Sequence, residues 1–123
     1  MSPRELFEQV EVASPSFRAV ARQHLSDNRE LLPHVLMADL LRHVGAFFES
    51  SHSASSPSEA EVKAIMALLD SSLAEGGGET ANIIAVSFLE NIDAEPFFTR
   101  LKPFLGLALR RELMSQSEWR PGK

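Results

Sequence analysis

The sequence predicts an all-α fold: a single compact bundle of about five to six helices around one central apolar helix, residues 80–92. Three observations predict it. Apolar residues recur at helical spacing along most of the chain, and no segment shows the period-two alternation of a strand. Helix-start signals recur as Ser2-Pro3-Arg4-Glu5, Ser14-Pro15 and Ser56-Pro57-Ser58-Glu59. Finally, at about 100° per residue, Ile83, Ile84, Val86, Phe88, Leu89 and Ile92 point in nearly every direction, as in a helix surrounded by others. The run falls short of the about 20 apolar residues that span a bilayer.

A chain of 123 residues is one domain, large enough to bury a core. Its first helix starts at the Ser2 capping box and gathers Leu6, Val10 and Ala13 on one face. Ser14-Pro15 opens a second helix, in which Phe17, Val20, Ala21, His24 and Leu25 line one side. His24 on that stripe reads as a hydrogen-bonded core residue. The helix stops near Ser26-Asp27-Asn28, because continuing it would place Pro33 in a helix interior at a cost of about 3 kcal/mol. From Pro33 to Glu49 the pattern is amphipathic, and Leu36, Met37, Leu40, Leu41, Val44, Phe47 and Phe48 form the apolar arc.

Residues 50–58 form a serine-rich stretch, expected to be a flexible loop. A helix over 57–75 follows, with Val62, Ile65, Met66, Leu69 and Leu73 in a narrow stripe and its acids exposed. Gly76-Gly77-Gly78 ends it as a tight link; a phosphate-cradling loop would need a following Lys-Ser or Lys-Thr, and Glu79 would repel an anion there. In the central helix, Ser87 can bond back to the Ile83 carbonyl, and Glu90 needs either a basic partner or solvent. Pro103 starts the last helix, and Gly106 allows close approach of another helix. Residues 116–123, including Trp119, are expected to fray.

Net charge is −5, unevenly spread. Residues 49–95 hold nine acids against Lys63 alone, whereas residues 96–123 hold six bases against Glu112 and Glu118. A broad basic face for nucleic acid is therefore not expected. With no cysteine, thiolate metal sites, disulfides and cysteine nucleophiles are excluded. There is no His-Glu-x-x-His motif, nucleophile elbow or dinucleotide fingerprint, so neither metal nor cofactor is expected. The N-terminus shows no apolar run behind a basic cluster, and the expected location is cytoplasmic.

Two sets of residues stand out. Glu49, Glu59, Glu61, Asp70, Glu75 and Glu79 are candidates for an acidic surface that binds a basic protein partner. His34, Asp39, His43 and Glu90 are the candidate polar site: Asp39 lies four residues before His43, a spacing that permits a side-chain pair. His34 and His43 lie on opposite edges of their helix and cannot share a ligand there.

Leu31-Leu32-Pro33-His34-Val35-Leu36-Met37-Ala38-Asp39-Leu40 and Asn82-Ile83-Ile84-Ala85-Val86-Ser87-Phe88-Leu89-Glu90-Asn91, followed by Leu105-Gly106, resemble a small helical domain family of bacteria without an established activity. In size, charge and helical build it is similar to immunity proteins, which neutralise toxins delivered between competing bacteria. The resemblance implies a non-catalytic protein-binding module of the immunity type, with a basic toxin domain as partner. The rival readings are a small enzyme using Asp39 and His43 as an acid–base pair, and a regulatory or structural homodimer formed through helix 57–75.

Overall fold

The computed structural model describes residues 2–49, 56–76 and 78–119. Seven α-helical segments are present among them and no strand. Helix α1, Pro3–Ala13, starts at the expected capping box: the Ser2 hydroxyl accepts from the Glu5 amide at 3.2 Å, and Glu5 accepts from the Ser2 amide at 3.1 Å. Leu6, Phe7 and Val10 are its buried face. Helix α2, Phe17–Asn28, begins later than Ser14-Pro15 suggests. The amides of Phe17 and Arg18 bond to the carbonyls of Ser14 and Pro15, so this segment is a tight corner between α1 and α2. Leu25, placed by its spacing on the apolar side, is exposed, because α2 buries only the narrow stripe of Phe17, Ala21 and His24.

Helix α2 ends where Arg29 takes a left-handed conformation (φ 60°) and bonds the Leu25 carbonyl. His24 Nε2 then accepts from the Leu32 amide at 2.9 Å, joining the end of α2 to the start of α3. This is the hydrogen-bonded core role expected for His24. Helix α3 runs Pro33–Ala46 and ends in turns through Phe47 and Phe48, short of Glu49. At Gly45 the ring of Phe97 occupies the space a Cβ would need, which explains a glycine inside a helix.

Helix α4, Glu59–Glu75, starts two residues later than predicted. The capping box is Ser58 with Glu61, not Ser56 with Glu59: the Glu61 amide donates to the Ser58 hydroxyl at 3.2 Å, and the Ser58 amide to Glu61 Oε2 at 3.1 Å. Val62, Ile65, Met66 and Leu69 are fully buried against α1, α7 and the segment after Gly78. This is the narrow stripe expected for the helix, facing the chain's own core. Gly76 (φ 72°) and Gly78 (φ 75°) make the expected link, in a backbone region that suits glycine.

The central element departs from a simple α-helix. Helix α5, Gly78–Ile83, passes into a π-helical stretch, Ile84–Leu89, then a 3₁₀ turn, Ile92–Ala94. A π-helix bonds i to i+5, so residues five apart come towards one line, whereas an α-helix separates them by about 140°. Ile83 with Phe88 and Ile84 with Leu89 accordingly share the buried side. The expectation of burial all round is corrected. Asn82, Val86 and Glu90, four apart, form an outward stripe, with Val86 44% exposed. The π-helical stretch packs chiefly on α3, with α5 and α7 adjoining it.

Short helix α6, Phe98–Leu101, and a 3₁₀ turn, Lys102–Phe104, lead to α7, Leu107–Trp119. The last helix therefore starts four residues after Pro103. Here Gly106 lies against the Asp70 carboxylate of α4, where a Cβ would collide, and the Leu109 amide donates to Asp70 Oδ1 at 3.0 Å. The predicted close approach at Gly106 is that of a carboxylate capping a helix. At the start of the segment expected to fray, Gln116 is held by its side-chain Nε2, which donates to Ala85 O at 2.9 Å and to Glu112 at 3.0 Å. Residues 50–55 of the serine stretch, residues 120–123 and the side chain of Trp119 lie outside the described residues. Among those described, no helix is long and apolar enough to cross a membrane.

Candidate functional site

The densest polar cluster sits where the α1–α2 corner meets α3 and α4. Glu61 Oε1 accepts from the Ser14 hydroxyl at 2.6 Å, the Ser16 hydroxyl at 2.7 Å and the Ser16 amide at 3.2 Å. With the Ser58 amide on its other oxygen, this carboxylate receives four hydrogen bonds. Burial pushes its pKa up, but the serine hydroxyls and the Ser58 and Ser16 amides outweigh that and hold it lowered from 4.5 to about 2.

His43 completes the cluster, its Nε2 lying 2.9 Å from Ser16 Oγ. A serine hydroxyl has one proton, and that of Ser16 goes to Glu61. His43 Nε2 must then carry the proton and donate it to Ser16. The imidazole is buried beside the Phe17 ring at 5.5 Å between centroids. Burial lowers its pKa, with the Glu61 charge acting in the opposite sense. In a nucleophilic serine site the histidine accepts the serine proton and the acid holds the other ring nitrogen. Here the order is reversed, with the acid on the serine and the histidine donating. The cluster is a clasp joining the α1–α2 corner to α3 and α4.

The candidate polar site is dispersed. Asp39 forms an ion pair with Arg42, while His43 turns to Ser16, so the two do not meet as an acid–base pair. His34, exposed at the start of α3, places Nδ1 2.6 Å from Ser87 Oγ on the π-helical stretch. Ser87 therefore bonds across to α3 instead of back to Ile83. Glu90 is exposed. No group of three or more His, Asp or Glu side chains that could hold a metal occurs among the described residues.

A family model described as a domain of unknown function, DUF7674, matches residues 7–120. The chain belongs to that family. No curated protein and no solved structure matches it.

The six acids of the candidate surface divide into two groups. Glu49, Glu59, Glu75 and Glu79 are exposed, with Glu59 paired to Lys63 at 3.2 Å. Glu61 and Asp70 turn inward, the first into the serine clasp and the second onto the start of α7. Glu59 and Glu75 lie at opposite ends of α4, about 24 Å apart at the helical rise. Glu75 and Glu79 are exposed on either side of the glycine link, the first in a helix last turn that has no base. The negative end of the helix dipole adds to the potential there. Sequence reasoning missed the clasp because Ser14 and Ser16 are 47 and 45 residues from Glu61. Its one local signal was a glutamate at the third position after Ser58.

Proposed function

We propose that this domain is a non-catalytic protein-binding module that holds a basic partner through the exposed acids at the ends of α4, foremost Glu75 and Glu79. The observation that carries the reading is that Glu75 and Glu79 are both exposed close to the C-terminal, negative end of α4, whose last turn has no base. The fate of the chemically capable groups supports it: Ser14, Ser16, His24, His43, Glu61 and Asp70 are all spent on hydrogen bonds between elements. The sharpest form is an immunity-type inhibitor that covers a basic toxin domain, a form suggested by resemblance in size, charge and build.

Electrostatic steering of this kind acts on the association rate and weakens with salt. The test is a Glu59→Lys, Glu75→Lys, Glu79→Lys triple variant, which leaves the structural acids Glu61 and Asp70 intact. The partner is isolated from native cell lysate at low salt, and association is followed by stopped flow. The triple variant should associate about tenfold or more slowly at low ionic strength, with the difference shrinking at high salt. An unchanged rate at both salt concentrations refutes the acidic-surface mechanism.

A further inference from the structure

Between the 92–104 segment and α7 lies a half-open groove of about 370 Å³ with apolar walls and a cationic rim. Leu105 forms its buried floor, half-buried Phe98 and Leu113 its walls, and Met114, 63% exposed, its outer lip. Arg110 lies at the rim and is held in place: its Nε donates to the Leu105 carbonyl at 2.8 Å and Nη2 to the Lys102 carbonyl at 3.1 Å. Those bonds use two of the five guanidinium N–H donors and fix the plane of the rest. Lys102 adds a second cation and Asp93 one anion, so the rim carries a net single positive charge. The volume is at the small end of the range of about 300–1,000 Å³ typical of small-molecule sites.

We propose that this groove binds a single-chain aliphatic carboxylate, with the chain on Leu105, Phe98 and Leu113 and the head group between Arg110 and Lys102. A monoanion matches the net charge of the rim. An oriented guanidinium with spare parallel donors suits a carboxylate, which Arg can grip with two N–H groups. Met114, unbranched and exposed at the lip, can fold over chains of different length. This site is independent of the acidic surface and uses none of its residues.

The experiment is a titration of the whole domain with decanoate below its micelle concentration, read by methyl chemical shifts of Leu105, Leu113 and Met114. Saturable one-to-one binding is expected, with shifts centred on those residues. Affinity should rise from hexanoate to decanoate by about two- to fourfold per methylene, as partial burial of each CH₂ implies. Decylammonium should bind at least tenfold more weakly than decanoate. Lys102→Glu should weaken decanoate about threefold or more and leave decanol unchanged. Equal binding of decanoate and decylammonium, shifts centred elsewhere, or no saturable binding overturns the proposal. The ligand-side controls need no variant, so the outcome does not depend on how any substitution folds.

Discussion

Replacing Glu61 with Gln keeps the shape of the side chain and removes its charge, so it isolates what that charge does for the clasp. Lowering a carboxyl from its ordinary 4.5 to about 2 corresponds to about 3 kcal/mol of preference for the charged form in the folded state. Glu61 keeps part of its surface in solvent, where screening erodes such contributions, and we expect about 1–2 kcal/mol in practice. The sign follows from linkage. A carboxyl lowered by folding contributes stability that is fully present above about 4.5 and disappears as pH falls towards about 2. Urea unfolding followed by circular dichroism at pH 7 should therefore show the variant midpoint lower by about 1 M. By pH 3 the gap between wild type and variant should fall below half its pH 7 value, because the carboxyl of the unfolded wild-type chain, with its ordinary value of 4.5, is then protonated and favours unfolding. A gap of the same size at both pH values would show that the loss comes from packing, and would refute the charge-based account. No gap at pH 7 would mean that water serves Ser14 and Ser16 as well as Glu61 does.

Two further perturbations separate other parts of the framework. His43 has its pKa lowered, mainly by burial, so the unfolded chain binds its proton more readily and stability should fall as pH drops through about 6.5. Comparing urea midpoints at pH 7.5 and 5.5, His43→Gln should lose less stability on acidification than wild type; an equal loss contradicts the assignment. At the α4–α7 junction, Asp70→Ala and Gly106→Ala should each cost about 1 kcal/mol, since both remove the same helix cap. A double-mutant cycle should find the combined cost no greater than the larger single one, and simple additivity would show that the glycine serves some other purpose.

Much of the architecture was legible because it is written in local spacing. The Ser2–Glu5 capping box, the break before Pro33 and the stripe Val62, Ile65, Met66, Leu69 each depend on residues three or four apart, and each is present as expected in kind. The boundaries were less legible. Ser56–Glu59 and Ser58–Glu61 both satisfy the capping pattern, and what selects the second is a tertiary bond from Glu61 to the α1–α2 corner. The same cause hid the clasp and the role of Asp70. An acid that accepts amide protons from a distant element looks, in sequence, like any surface carboxylate. His43 was visible on the edge of its helix, but its nearest acid in sequence, Asp39, is paired with Arg42. Proximity along a helix permitted the pair, and competition from a partner three residues away decided against it.

The π-helical stretch also bears on how much the chain can change in length. A π-helical turn accommodates one more residue than the α-helical turn it replaces, and Ile84–Leu89 uses that extra residue to keep Ile83 beside Phe88 and Ile84 beside Leu89. Deleting one residue here would let the turn revert to ordinary α-helical geometry with the downstream face nearly in phase, because four α-helical steps and five π-helical steps both cover little more than one turn. Ile92, fully buried, and the segment carrying Phe97 and Leu101 would keep their buried side, whereas a residue added here would turn them by about 100° away from it. The stretch is thus a store of one residue of length: it can give that residue up, but it has no means of absorbing another.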